Sequence, residues 1–165
     1  MRVISDSSPL ITLARVGFLD LLPQLYEEIT ITPEVFAEVA IRGAGLAGAA
    51  QISSAMWIDV RAVRKPADLA IAQRRLGLGL GELSVIQLGQ ELKAEVLLID
   101  DMKARKLARE GGIAILGCVG VLHDAFGLGL VSDLTEAYRQ LAASGAYVDR
   151  ELLENILKLL GQSPL

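Results

Sequence analysis

The sequence predicts an α/β protein with a parallel sheet, and three observations lead to this. Short apolar runs of strand length alternate with helical segments, which is the order that βαβ units produce. Residues 96–99 are continuously apolar, as expected for a strand buried on both faces. Hydrophobic residues make up 52% of the chain and aromatic residues only 4%, so the core must be aliphatic.

The first half of the chain supplies three strands and three helices. Serine is a favoured helix cap and proline fits the first helical turn, so Ser7-Ser8-Pro9 predicts a helix start. Thr32-Pro33 predicts another for the same reasons. Residues 43–50, rich in glycine and alanine, predict no definite element. In order, the predicted elements are a strand at 3–5, a helix from Ser7, a helix at 18–25, a strand at 28–32, a helix from Pro33 and a strand at 57–63.

The second half continues the alternation. The glycines at 77, 79 and 81 indicate a flexible turn, after which Glu82 begins a helix. Gly111-Gly112 stops a later helix. In order, the predicted elements are a helix at 66–76, a helix from Glu82 to about 93, a strand at 96–99, a helix at 102–110, a strand at 113–116 and helices at 119–126, 133–143 and 149–160.

Composition excludes several classes of protein. The only cysteine is Cys118, so an internal disulfide framework is impossible and a cytoplasmic setting is expected. The N-terminus has no long apolar segment, which predicts no secretory signal. The longest apolar run, residues 113–122, is far shorter than the roughly 20 residues of a spanning helix. A net charge of −4 argues against constitutive DNA coating, which relies on many phosphate contacts.

Acidic residues are predicted to gather at one edge of the sheet. Asp6 ends the first strand, and Asp100-Asp101 ends the strand at 96–99. In open parallel sheets, ligands bind at the carboxyl ends of the strands. These positions therefore predict a ligand site, although aspartates there can also serve as turn residues or helix caps.

Glu38 and Glu82 are predicted to join these aspartates from two helices. Glu38 lies three residues beyond Val35 and so borders the apolar face of its helix. Glu82 heads a stripe that continues at Val85 and Ile86 and faces the core. One explanation of Glu82 is that a glutamate in the first turn of a helix interacts favourably with the helix dipole. The other is that a carboxylate at the end of a core-facing stripe has a group that pairs with it.

A divalent cation would resolve the repulsion among these acids. Clustered carboxylates repel, and burial raises their pKa values. Hard oxygen ligands suit Mg²⁺ or Mn²⁺, whereas one histidine and one cysteine leave little for structural zinc. A bound cation could activate water and neutralise a phosphodiester, with one ion or two. From the residues alone, the acids that could surround such a cation are Asp6, Glu38, Glu82 and Asp100-Asp101.

Four motifs in this order resemble the PIN-domain family. They are Asp6-Ser7-Ser8-Pro9-Leu10-Ile11, Thr32-Pro33-Glu34-Val35 with Glu38 downstream, Gly81-Glu82 at a helix start, and Leu98-Ile99-Asp100-Asp101. The resemblance covers roughly the first 125 residues and is greatest to a PIN-like subfamily with a glycine-rich turn and a double aspartate. It implies a three-layer α/β/α sandwich with a short parallel sheet. We expect one PIN-like domain over residues 1–165, with the helices from about 131 to 161 as an extension.

The resemblance also implies a function. It implies an endoribonuclease dependent on Mg²⁺ or Mn²⁺, and many relatives are VapC-type toxins silenced by a small antitoxin protein. A homodimer is expected as well. The implied catalytic residues are Asp6, Glu38, Glu82 and Asp101, supported by the hydroxyl of Ser7 or Ser8. The implied metal ligands are Asp6, Asp101, Glu82 and Asp100, with Asp101 favoured over Asp100 by its spacing from the apolar run. Two positions depart from the common pattern: Glu82 replaces an aspartate, and Ile99 replaces a serine or threonine.

Basic residues follow Asp101 directly. The basic set either forms a solvated helix face or contacts RNA phosphates, and its members are Lys103, Arg105, Lys106 and Arg109. Both interpretations stay open on the sequence.

Two other functions are compatible with an acidic sheet edge. A phosphoaspartate receiver or phosphatase would need a second aspartate beside or two residues beyond the first, where Ser7 and Ser8 stand. A non-catalytic PIN-like module that binds RNA or a protein stays open because of Glu82 and Ile99.

Overall fold

A computed structural model describes residues 1–165 and contains a five-stranded sheet in which all strands are parallel. The strands are β1 (Val3–Ser5), β2 (Ile29–Ile31), β3 (Ile58–Val60), β4 (Val96–Leu98) and β5 (Ala114–Leu116). Their order across the sheet is β3-β2-β1-β4-β5. The chain therefore adds β2 and β3 on one side of β1 and then β4 and β5 on the other side. The crevice beside β1 is the switch point where open α/β sheets bind ligands.

Helices flank the sheet and form the predicted three-layer α/β/α arrangement, which is confirmed. The helices are α1 (Ser7–Arg15), α2 (Leu21–Tyr26), α3 (Pro33–Phe36), α4 (Ala49–Ser54), α5 (Pro66–Leu76), α6 (Leu80–Leu92), α7 (Met102–Glu110), α8 (Cys118–Gly127), α9 (Leu134–Ala143) and α10 (Arg150–Leu159). A π-helical segment, Ala37–Arg42, continues α3. No helix combines the length and the apolar character needed to cross a membrane.

The hydrophobic core is one cluster of 37 buried residues that extends from Val3 to Leu157. Every residue of β1 and β2 is buried, as expected for inner strands covered by helices on both faces. The last helices contribute to the same core. Tyr138 of α9 is fully buried, and its hydroxyl donates to the carbonyl oxygen of Val119 in α8 at 3.3 Å.

The helix starts differ in part from the sequence predictions. Thr32 caps α3 as predicted, since its hydroxyl accepts from the N–H of Val35. The predicted serine cap of α1 is wrong, because Ser7 is already helical and Asp6 holds the cap position without a side-chain cap bond. The predicted start at Glu82 is also wrong, because α6 begins at Leu80.

The glycine- and alanine-rich stretch contains an element that the sequence did not predict. Its last residues open α4, and Gly48 before it has a φ of +86°. A Cβ on Gly48 would lie 2.4 Å from the Cβ of Ala14 in α1. Glycine thus permits both the left-handed turn and the close approach of α4 to α1.

Truncation of the central sheet core tests this packing. Leu97 has no exposed surface and pairs with Ile4 on one side and Ile115 on the other. We expect Leu97→Ala to lower the free energy of unfolding by about 2–5 kcal/mol in urea denaturation, because it leaves a cavity. The control Met56→Ala, at a side chain that is 98% exposed, should change it by less than about 0.5 kcal/mol. Equal stability of the two variants would contradict the assigned core.

Candidate active site

Asp6 lies at the carboxyl end of the central strand β1 and is only 2% exposed. Its Oδ1 atom is buried without a hydrogen-bond partner. Burial raises the pKa of Asp6 from 3.8 to about 7, the backbone N–H of Ser7 opposes this, and the charges of Glu82 and Glu38 raise it further. A buried carboxyl with an unsatisfied oxygen and two acidic neighbours is costly unless a cation joins it.

Glu38 lies in the π-helical segment and bonds to Ser7, the residue after Asp6. The hydroxyl of Ser7 donates to Oε2 of Glu38 at 2.7 Å, and Arg42 lies 3.4 Å from Oε1. A Cβ on Gly81 would lie 2.8 and 2.9 Å from the two carboxylate oxygens of Glu38. Only glycine at position 81 therefore leaves room for this carboxylate beside the first turn of α6.

Two buried hydroxyls join α3 to α6 and set this approach. The oxygens of Thr32 and Ser84 are 2.7 Å apart, and Ser84 also donates to the carbonyl oxygen of Gly81 at 2.7 Å. Because the one hydroxyl proton of Ser84 goes to Gly81, Thr32 is the donor between the two side chains. The link fixes the helix that leads to Glu38 against the turn that carries Gly81.

Glu82 is the third residue of α6 and has two roles. Its Oε2 atom accepts from the backbone N–H of Gly79 at 2.7 Å, so it stabilises the helix start. Its Oε1 atom has no hydrogen bond, and the residue lines a cleft beside the acids. The helix-capping interpretation of Glu82 and the ligand interpretation are therefore compatible, since each uses a different oxygen.

Asp101 caps α7 with one oxygen. Its Oδ1 atom accepts from the N–H groups of Lys103 and Ala104 at 2.9 and 2.8 Å. The residue is exposed and lines the same cleft as Glu82. As with Glu82, one carboxylate oxygen stays without a protein donor.

Asp100 has a different environment, with both of its oxygens bonded to Cys118. The backbone N–H of Cys118 donates to Oδ1 at 2.8 Å, and its thiol donates to Oδ2 at 2.9 Å. Burial, followed by the charge of Asp100, raises the pKa of the thiol well above 9, so the thiol keeps its proton. Asp100 thus ties the end of β4 to the start of α8.

Asp6 lies within electrostatic range of Glu38 and Glu82, and Asp101 lines the same cleft as Glu82. No three His, Cys, Asp or Glu side chains converge closely enough to form a finished cation site. The chemistry nevertheless fits a hard cation, because the donors are all carboxylates and Asp6 has an orphaned buried oxygen.

The other predicted site residues fall in three places. Ser7 bonds to Glu38, and Ser8 lines the cleft. Arg105 lines the cleft as well and donates to the carbonyl oxygen of Ile99 at 3.4 Å. Lys103 and Lys106 are exposed on α7 outside the cleft, and the ammonium group of Lys103 donates to the carbonyl oxygen of Gly77 at 3.2 Å.

The cleft beside the acids has a volume of about 940 Å³. The sequence predicted two of its lining residues, Arg105 and Arg109, as candidates for phosphate contact, but not Arg15 in α1 or Tyr147 before α10. Arg105 and Arg109 are four residues apart in the 9-residue helix α7 and so share one face. Nothing local links Arg15 or Tyr147 to that face.

The sequence and the fold are similar to known proteins. A family model described as a PIN domain matches residues 2–162. The fold is similar to the crystal structure of PAE2754 from Pyrobaculum aerophilum, with a TM-score of 0.50 and 16% sequence identity over 72% of this chain and 91% of that chain. At this identity the likeness shows the fold alone. No curated protein matches the sequence.

PIN domains are generally nucleases and typically use divalent metal ions, which agrees with the oxygen-only donor set around Asp6. The family match spans nearly the whole chain and includes all four acids. The chain belongs to the PIN-domain family.

Proposed function

We propose that this protein is an endoribonuclease that hydrolyses RNA phosphodiesters with Mg²⁺ or Mn²⁺. The environment of Asp6 carries the proposal. Its carboxyl is buried, its Oδ1 atom has no hydrogen-bond partner, and the negative charges of Glu38 and Glu82 raise its pKa. Such a carboxyl destabilises the fold, so a role in binding a cation accounts for its position better than a role in stability.

Three acids would hold the cation, each with an oxygen that no hydrogen bond occupies. They are Asp6 through Oδ1, Glu82 through Oε1 and Asp101 through Oδ2. When bound, the cation supplies Lewis acidity and neutralises charge on the phosphodiester. Asp100 is the weaker candidate for a ligand, because Cys118 engages both of its oxygens.

The remaining residues orient the site and attract the substrate. Glu38 completes the set of four catalytic acids, and the hydroxyl of Ser7 orients its carboxylate. Ser8 borders the cleft next to the acids. Lys103, Arg105 and Lys106 supply positive charge for RNA phosphates around an otherwise acidic centre.

A non-catalytic RNA-binding or protein-binding module is the second candidate. Glu82 and Asp101 each give one oxygen to a helix start, and the acids do not converge into a finished cation site. In that case these carboxylates would act as helix caps only, and the chain would bind its ligand without cleaving it.

From the family resemblance we further propose that the protein is a toxin and that a small antitoxin protein silences its site. The same resemblance supports a homodimer and a cytoplasmic setting. A neighbouring upstream gene for a small DNA-binding protein would support this assignment.

The nuclease proposal predicts cation-dependent cleavage that requires Asp6. We expect the wild-type protein with Mn²⁺ to cleave labelled RNA, and Asp6→Asn and chelator-treated protein to lose this activity. Asp20→Asn, the same change at an exposed helix cap with no side-chain cap bond, should cleave like wild type. Equal cleavage by Asp6→Asn, or none by correctly folded wild type over a wide set of RNAs, would contradict the proposal.

The raised pKa of Asp6 predicts how stability depends on pH in metal-free protein. The native state holds an extra proton between about pH 4 and pH 7, so the free energy of unfolding falls as pH rises through this window. Asp6→Asn removes the effect and should be the more stable protein at pH 8, by at most about 4 kcal/mol. Chemical denaturation at pH 5 and pH 8 measures the difference, which should shrink at pH 5. An Asp6→Asn protein less stable than wild type at pH 8 would mean that Asp6 is structural.

The space left by Gly81 gives a separate prediction. In Gly81→Ala the new Cβ displaces the Glu38 carboxylate, so we expect Mn²⁺-dependent cleavage to fall by about 10- to 100-fold. Stability should be kept or slightly raised, since alanine favours a helix over glycine. The matched control is Gly127→Ala in α8, where a Cβ meets nothing within 4 Å. Normal cleavage by Gly81→Ala would show that the position of Glu38 does not matter.

A further inference from the structure

Glu38 differs from the other acids of the site, because both of its carboxylate oxygens are engaged within the chain. Oε2 accepts from the hydroxyl of Ser7 at 2.7 Å, and the guanidinium group of Arg42 lies 3.4 Å from Oε1. The other three acids form no ion pair, and each keeps an oxygen without a hydrogen bond. A cation of the protein itself therefore neutralises one of the four acids and leaves the other three uncompensated.

The local backbone places Arg42 beside Glu38. The two residues lie four positions apart in the π-helical segment, so their side chains project from the same face. Such segments are rare and are frequently found at functional sites. Glu38 is the inner partner, with a side chain that is 28% exposed, whereas the side chain of Arg42 is 68% exposed. The arginine can therefore leave the contact for water, while Ser7 continues to hold the carboxylate.

Stability accounts poorly for this contact. Ion pairs that are largely exposed stabilise a fold little, because water and salt screen the attraction. The chain contains a similar helical pair between Glu136 and Arg139 in α9, at 3.6 Å and with both side chains half exposed. Neither of those residues lines the cleft beside the acids. Only the pair of Arg42 involves one of the four acids.

The charge of Glu38 acts on the rest of the site. Glu38 is one of the two acids whose charge reaches Asp6. A divalent cation that binds among these acids is attracted by the charge of Glu38 and repelled by the charge of Arg42. The guanidinium group and the divalent cation therefore compete for the same negative charge, although they need not occupy the same place.

We propose that Arg42 is a competitor of the divalent cation that is built into the chain. In the metal-free protein it neutralises Glu38, and it thereby keeps the affinity of the site for Mg²⁺ or Mn²⁺ below the affinity that the acids alone would give. The inference rests on the proposed cation-dependent nuclease, and it assigns to Arg42 the regulation of the cation affinity of that site.

Calorimetric titration of metal-free protein with Mn²⁺ tests this competition without any cleavage. We expect Arg42→Gln to bind Mn²⁺ roughly threefold to tenfold more tightly than wild type, because a repelling charge is removed. The gain should shrink as salt rises from about 0.1 M to about 1 M, since the screening length falls from about 10 Å to about 3 Å. Arg42 is exposed, so circular dichroism should show the variant folded.

Three further variants separate this contact from other effects. Arg42→Lys keeps the positive charge and should bind Mn²⁺ nearly as wild type does. Arg139→Gln removes an arginine from the similar pair in α9 and should leave the affinity unchanged. In the Glu38→Gln background, Arg42→Gln should give no further gain, because the carboxylate for which the two cations compete is absent.

Each result decides for or against the competition. Equal or weaker Mn²⁺ binding by Arg42→Gln overturns it and leaves the cation site of wild type standing. An equal gain in Arg139→Gln, or in the Glu38→Gln background, overturns it as well, because the effect would then come from net charge. Tighter binding by Arg42→Gln in a protein that cleaves no RNA supports the competition and overturns only the nuclease proposal. Absence of Mn²⁺ binding by both folded proteins, wild type and Arg42→Gln, overturns the cation site and the competition together.

Discussion

The carboxyl group of Asp6 is withdrawn from water at the end of the central strand, and no protein donor reaches its Oδ1 atom. The order of the sheet imposes this position, because β1 lies between β2 and β4 and the residue that follows it enters the crevice at the switch point. The charges of Glu38 and Glu82 add to the cost of ionising Asp6. The surrounding structure thus holds the Asp6 carboxylate at a position where its ionised form is unfavourable in the absence of a cation and favourable when a cation binds.

Two of the four acids both cap a helix and keep an oxygen available for a cation. Glu82 and Asp101 each stabilise the first turn of a helix with one oxygen and keep the other free. The carboxylate of Glu38 packs against the first turn of α6 because residue 81 is a glycine and because the Thr32–Ser84 hydroxyl pair docks α3 against α6. Positioning of the acids and stability of the helices thus depend on the same hydrogen bonds.

The parts of this arrangement that depend on local sequence could be predicted. Strand ends, the Thr32 cap and the two aspartates after β4 follow from apolar runs and capping patterns within a few residues, and the predicted three-layer fold is confirmed. Contacts between distant segments could not be predicted. Thr32 and Ser84 are 52 residues apart, and the approach of Gly81 to Glu38 exists only after docking. The cleft that joins Arg15 to Tyr147 depends on where the C-terminal helices pack.

Titration calorimetry of the metal-free protein with Mn²⁺ tests the central claim, that Asp6 belongs to a carboxylate cation site, most directly. Wild type should bind Mn²⁺ saturably. Binding should be lost in Asp6→Asn and Asp101→Asn but kept in folded Asp100→Asn, whose carboxylate bonds to Cys118 in wild type. Equal binding by wild type and Asp6→Asn, or no binding by folded wild type, would contradict the account.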